Sequence, residues 1–295
     1  MRIGIIGGGF GLYGYLPALS QHRDVTILLP MRYQKRVKER ADIRHLYSDI
    51  EWVNDNDAVL NQCDGLIIAL PPVQQYEWVK KCLYYGHINH LFLEKPLASS
   101  PELAHELLSN LILSKKKFRV GYNFRHTEWG QSVRKKTHGV KQVHWHFRAH
   151  HYAENLKTWK REHDQGGGAL RFYGIHLIAL LAELGYTDVT YSKMNMSSNN
   201  VSGWDAELTG DSLVPCEISI SSNSDSTRFD VVDSSGENYK LSNPFQVLQQ
   251  QKKSNTDLRV PFLTQGLQDL FCNHYTYHNW YHHTNLLWSN IEKVV

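Results

Sequence analysis

Three short stretches hold the residues best able to do chemistry. The first is Glu94-Lys95-Pro96, which follows the apolar run Leu91–Leu93. A lysine at the C-terminal end of a buried parallel strand stands where such sheets place ligands. Its ammonium can hold a carbonyl oxygen and exchange a proton with it while hydride moves to or from the adjoining carbon. Glu94 is placed to bond a nicotinamide ribose. Pro96 stiffens the turn, and a cis Lys95–Pro96 bond is compatible with it. The second stretch is Gly7-Gly8-Gly9-Phe10-Gly11, after the apolar run Ile3–Ile6 and before the helical spacing of Tyr13–Leu19. Strand, glycine turn and helix start together form a dinucleotide site, in which the helix N-terminus faces the phosphates. A strict G-x-G-x-x-G would put glycine where Leu12 stands, so Gly11 or Gly14 must permit the close contact of helix and strand. The alternative is an ordinary βα turn.

The third stretch follows the second strand. An NAD-preferring site usually has an acid there, bonded to the ribose hydroxyls. Here the chain reads Leu28-Leu29-Pro30-Met31-Arg32, with Lys35 and Arg36 one turn on. A guanidinium suits a 2′-phosphate. The expectation is NADP(H), with NAD(H) as the alternative if Arg32 is only a surface charge.

The elements that must position these residues alternate strand and helix through the first half. Strands are expected at Asp24–Leu29, Asp64–Leu70, Leu91–Leu93 and Phe118–Tyr122. Helices are expected at Tyr33–Arg40 and Gln75–Tyr85, with Gly86 as C-cap, and after Ser100-Pro101. This pattern predicts a doubly wound parallel sheet. Beyond Asn123 the character changes. Val140–Ala149 alternates, with Val143, Trp145, Phe147 and Ala149 on one face. Further strands are expected at Val189–Ser197, Leu213–Ser221, Thr227–Val232 and Asn238–Leu241, forming a largely antiparallel open sheet under a helix at Ala169–Leu184. The tail from Leu263 to Val295 reads as mostly helical. The expected domains are therefore 1–122, a Rossmann domain, and 123–295, an α/β domain for substrate and oligomerisation.

Composition narrows the function classes. The 295 residues carry a net charge of +3, too small to argue for nucleic acid. Four cysteines without a C-x-x-C pattern suit a reducing compartment. The first strand starts at residue 3, with no signal peptide before it, and no apolar run approaches a membrane span. A cytoplasmic protein without membrane partners is expected. His144, His146 and His150 fall on one strand face, and His274, His278 and His282 lie one helical turn apart. No acid or cysteine completes the first set, and Tyr275, Trp280, Tyr281 and Trp288 interleave the second as in an aromatic packing or interface helix, so no metal is expected.

The motifs, in order, resemble the glucose–fructose oxidoreductase / inositol dehydrogenase (Gfo/Idh/MocA) family. They are Gly7–Gly11 with Leu16-Pro17-Ala18-Leu19, Ala69-Leu70-Pro71-Pro72, Glu94-Lys95-Pro96-Leu97 and Gly121-Tyr122-Asn123-Phe124-Arg125. Trp159-Lys160-Arg161, Gly166-Gly167-Gly168-Ala169-Leu170 and Gly174-Ile175-His176 complete the set. The resemblance implies hydride transfer to or from a keto or hydroxyl carbon of a sugar, cyclitol or sugar nucleotide, in a homodimer or homotetramer. It implies Lys95 as acid/base and His176 as catalytic relay. The implied cofactor residues are Gly7, Gly9, Phe10, Gly11, Leu12, Arg32, Leu70, Pro71, Gln75, Glu94 and Lys95. Gln75 stands where many members have histidine. Asn123, Arg125, Phe172, Tyr173 and His176 are implied on the substrate side. The pattern departs at Phe172, where the family has an aspartate, and at Ala179, where a later acid is missing. Without that aspartate the family's standard alcohol dehydrogenation is not implied, and reduction of a keto group, with Lys95 and His176 as donors, stays open beside it. Two other readings follow from Phe172: a cofactor-binding sensor without catalysis, and a reductase of C=N or C=C bonds in a non-sugar metabolite. Structural alternatives are a salt-bridged Lys95, a packed core His176, and an Arg125 paired with a core acid.

Overall fold

A computed structural model describes residues 1–246 and 256–294. Residues 247–255 and 295, which the second expected domain spans, lie outside the described residues. Of the described chain, residues 1–97, 109–121 and 256–276 form one compact unit, and 98–108, 122–246 and 277–294 form another.

The first unit is built on six short strands, most of them apolar runs buried on both faces of a sheet as parallel strands need, with an edge strand leaving Glu51 exposed. They are β1 (Arg2–Ile6), β2 (Thr26–Pro30), β3 (Ile50–Val53), β4 (Gly65–Ile68), β5 (His90–Leu93) and β6 (Lys117–Val120). The spatial order is β3-β2-β1-β4-β5-β6, and every neighbouring pair is parallel. The strand order reverses at β1 and β4, the switch point where doubly wound sheets bind ligands beyond the strand ends. The glycine turn leaves β1, Ala69-Leu70-Pro71 leaves β4 and Glu94-Lys95 leaves β5, so all three motifs share that edge. The helix Val260–Cys272 returns to this unit late in the chain. Its Val260, Leu263, Leu267 and Leu270 share a core with Ile5, Tyr15, Leu16 and Phe92. Buried Arg119 on β6 ties it down, with Nε donating to Asp269 Oδ2 at 2.5 Å and Nη2 to the Tyr275 carbonyl at 3.0 Å.

The second unit holds β7 (Val140–Arg148), β8 (Asp188–Ser197), β9 (Asn200–Thr209), β10 (Cys216–Ser221), β11 (Asn223–Asp233) and β12 (Asn238–Leu241). Their order is β12-β11-β7-β10-β9-β8. Only the β7–β10 pair is parallel, so the sheet is mixed and mostly antiparallel. A helical run crosses one face, Ala169–Gly174 as a wide turn and then Ile175–Leu184. Gly174 makes the close approach possible, since a Cβ there would stand 2.9 Å from the Trp204 ring on β9.

Several local expectations differ from the structure. Strand β3 and strand β9 were not expected. Ile50-Glu51-Trp52-Val53 is too short for its alternation to stand out, and Gly203 interrupts the apolar pattern of β9. Gly86 does not cap the helix Pro72–Leu83, whose C-cap is Tyr84 in the right-handed region. His274 precedes the last helix, His278–Lys293, so it is not one turn from His278. Among the described residues one stretch does reach a membrane-spanning length and hydropathy: His163–Leu184, 22 residues with an 18-residue window of mean hydropathy 1.2. Its most apolar window is 78% buried inside the fold, which makes it a core helix.

Candidate active site

The glycine turn has the backbone that a pyrophosphate requires. Gly7 has φ +140°, and a Cβ there would come within 2.3 Å of the Ala69 carbonyl oxygen. A Cβ on Gly9 would meet no protein atom within 4 Å, so the chain can be approached closely there. The helix begins at once, as Gly11–Tyr15 and then Leu16–Leu19. The two open glycine roles now separate. Gly11 faces Ile5 of β1, with a Cβ only 3.1 Å from Ile5 Cγ2, whereas Gly14 makes room for the ring of Phe10. The Leu12 side chain is in the core, 1% exposed, and its N–H donates to the Gly9 carbonyl. These residues fit a nicotinamide dinucleotide.

Arg32 follows β2, and its Nη2 donates to Asn56 Oδ1 at 2.7 Å and to the Tyr33 hydroxyl at 3.1 Å. Both acceptors are neutral, so these bonds leave the guanidinium charge uncancelled. Arg36 Nη1 donates to the Gly8 carbonyl at 3.1 Å, which brings a second guanidinium to the turn itself.

The Glu94–Leu97 turn is held by one side chain. Gln75 is fully buried on the helix Pro72–Leu83. Its Oε1 accepts the Glu94 N–H at 2.8 Å. Its Nε2 donates to the carbonyls of Glu94, Pro96 and Leu97 at 2.6, 3.1 and 3.2 Å. Gln75 therefore acts on the backbone on either side of Lys95. The Lys95–Pro96 peptide is cis, and Lys95 is 9% exposed. Glu94 Oε1 accepts the Tyr15 hydroxyl at 2.6 Å, and its Oε2 accepts the Lys95 N–H at 3.2 Å. Burial, and then the Glu94 charge, hold the Tyr15 hydroxyl well above its ordinary pKa, so it stays a donor. Leu70 and Pro71 are half-buried at the end of β4, where the Pro71 carbonyl accepts the Gln75 N–H.

Sequence reasoning missed Arg259. It comes from the returning segment and is clamped by Asp257 through two bonds of 2.8 Å. Its guanidinium lies 4.0 Å from the centre of the Phe10 ring. No local pattern marks it, because the contact spans nearly the whole chain.

In the second unit, Asn123 opens a short 3-10 turn, and its N–H donates to His176 Nδ1 at 3.3 Å. An N–H can only donate, so Nδ1 is the acceptor and a neutral ring carries its proton on Nε2. The imidazole also stacks on Phe124, with centroids 4.9 Å apart. Arg125 is engaged by protein groups. Its Nη2 donates to Glu183 at 2.9 Å, and its guanidinium stands 4.4 Å from both the Tyr277 and Trp280 rings. Phe172 and Tyr173 are half-buried and touch each other at 4.8 Å. The preceding Arg171 pins this segment through Glu292 and the Ser99 carbonyl. Ala179 is core, and its carbonyl accepts Trp280 Nε1–H at 2.6 Å. His144 and His146 have ring centres 6.0 Å apart, and His146 pairs with Ser219 Oγ. Among the described residues no group of three His, Cys, Asp or Glu is arranged for a metal.

Comparison with known proteins agrees with this geometry. Residues 1–122 match the oxidoreductase family with an NAD-binding Rossmann fold, GFO_IDH_MocA. That stretch, the N-terminal 122 residues, is thus similar to the NAD-binding Rossmann domain of this family. A curated relative, an uncharacterized oxidoreductase of Synechocystis, is 24% identical over 188 residues, 60% of this chain and 49% of the relative. The chain thus matches about half the length of that protein. Among solved structures, the WlbA dehydrogenase of Thermus thermophilus, in complex with NAD and UDP-GlcNAcA, aligns with TM-score 0.72 at 14% identity. The alignment covers 100% of this chain and 95% of that one. KijD10, a 3-ketoreductase of Actinomadura kijaniata in complex with NADP and TDP-benzene, aligns with TM-score 0.71 at 17% identity, covering 100% and 96%. At these identities the likeness is one of fold.

Proposed function

We propose that this chain is an NADP(H)-linked oxidoreductase that acts at a keto or hydroxyl carbon of a sugar, cyclitol or sugar nucleotide, in the reducing direction. The observation that carries the reading is the clamped turn. Gln75 fixes the backbone around Lys95 at the same sheet edge as the glycine turn. When bound, the nicotinamide supplies the hydride. Lys95 gives a proton to the oxygen as negative charge grows on it, and His176 Nε2–H serves as proton relay. The fold relatives support a sugar-nucleotide substrate, since two of them were solved with UDP-GlcNAcA and TDP-benzene. The reading includes a cytoplasmic location, in keeping with cysteines that are all free, and a homodimer or homotetramer.

The test is NADPH consumption, followed by absorbance, across UDP- and TDP-linked keto sugars. Turnover on at least one is expected. Tight NADPH binding with no turnover on any of them would instead favour a sensor, which is the reading that Phe172 suits. A reductase of C=N or C=C bonds would show turnover only on planar non-sugar substrates.

The preference for NADP(H) rests on Arg32 and Arg36. Arg32→Ala is expected to weaken NADPH binding about tenfold or more, the usual scale for a lost charge-assisted pair, and to leave NADH nearly unchanged. Titrating both cofactors into the wild type and the variant checks it. Equal losses for the two would remove Arg32 from 2′-phosphate recognition.

A further inference from the structure

Phe172 belongs to a half-buried aromatic wall in the second unit. The Trp159 ring meets it edge-on at 5.2 Å, and Tyr173 lies at 4.8 Å. Tyr173 in turn touches Phe147 at 4.9 Å and stacks in parallel with His151 at 6.3 Å. Trp159, Phe147, Phe172 and Tyr173 all keep part of their surface exposed. Phe172 and Tyr173 stand at 76° to each other, so a planar ligand packed on the face of one meets the edge of the other.

Two cations edge the wall. Lys160 Nζ is 5.6 Å from the Phe172 ring centre. Arg161 stacks on Tyr152 at 4.6 Å, and its donors reach only neutral oxygens: Asn200 Oδ1, Asn155 Oδ1 and the Leu156 carbonyl. Its charge is held in place without being cancelled. His151 is 5% exposed, and its Nε2 is buried with no hydrogen-bond partner among the described residues. Burial, then the charges of Lys160, Arg161 and His150, push its pKa down to about 4. The ring is therefore neutral near pH 7, and a buried polar atom of this kind calls for a partner.

We infer that this wall binds a planar, anionic part of the substrate, with its ring against Phe172 and Tyr173 and its carboxylate or phosphate against Arg161 and Lys160. His151 Nε2 bonds a polar atom of the same group. The inference rests on the oxidoreductase reading above and narrows its substrate class. Neutral polyols use neither the rings nor the charges. A nucleoside diphosphate and an aromatic carboxylic acid share the required chemistry.

Calorimetric titration of the full chain with UDP, phenylpyruvate and glucose tests it. UDP or phenylpyruvate is expected to bind and glucose is not, and whichever anion binds identifies the source. Arg161→Gln is expected to weaken that anion about tenfold or more, as is Lys160→Gln, which disturbs none of the bonds that Arg161 makes to Asn200 and Asn155. Overturning results are no binding of either anion up to about 10 mM, binding that both substitutions leave unchanged, or glucose binding as tightly. A parallel NADPH titration keeps the two readings apart. Lost anion binding with intact NADPH binding sinks only the wall, whereas absent NADPH binding sinks the oxidoreductase reading.

Discussion

Lys95→Met is expected to lower turnover by about two to four orders of magnitude, the range that a positioned acid/base contributes. Methionine keeps most of the length of the side chain and its apolar stem, so the packing of a residue only 9% exposed is nearly preserved. What is lost is the proton that neutralises the oxygen during reduction. NADPH binding is expected to stay within a few-fold, because the glycine turn and Arg32 are untouched. Steady-state turnover beside an NADPH titration separates the two effects. Turnover within a few-fold of wild type would remove Lys95 from the chemistry. Loss of NADPH binding in step with turnover would make Lys95 a cofactor anchor instead.

The sequence carried most of the first unit because β1, β2, β4 and the end of β5 are continuous apolar runs, and a run needs no partner to be seen. The chemistry at the sheet edge was legible for the same reason: Glu94-Lys95 and the glycines stand directly after such runs. Strand β9 was hidden because half of its residues face away from the core and Gly203 breaks the alternation. Arg259 was hidden because its importance comes from a ring some 250 positions earlier in the chain, and no local pattern records such a contact. For Arg125 the motif left two readings, substrate or a core acid, and the structure shows Glu183 and two aromatic rings engaging the guanidinium. Motif identity assigns a position in the fold, whereas the role of a charged side chain depends on which neighbours satisfy it. Gln75 was read as a cofactor contact on the same kind of warrant, yet its amide is spent on the protein's own backbone.

That assignment leads to the second large effect, expected for Gln75→Leu. Leucine fills a similar volume but has no donor or acceptor. The carbonyls of Glu94, Pro96 and Leu97 lose a donor, while the Glu94 N–H keeps its bond to the Ile68 carbonyl. Each buried polar group left unpaired costs about 1–3 kcal/mol, and because one side chain serves them all the costs do not simply add. A loss of roughly 3–5 kcal/mol in unfolding free energy is expected, measured by urea denaturation. Stability alone would not distinguish this from any other buried change. The distinguishing readout is catalytic: in the folded fraction, kcat should fall about tenfold or more with little change in the NADPH dissociation constant, since Lys95 is misplaced while the glycine turn is not. Gln75→His keeps one ring nitrogen able to donate to these carbonyls, and it should recover part of both losses. If Gln75→Leu were destabilised yet kept its kcat, the clamp would be only structural. If it instead lost NADPH binding with kcat preserved, Gln75 would be a cofactor ligand after all.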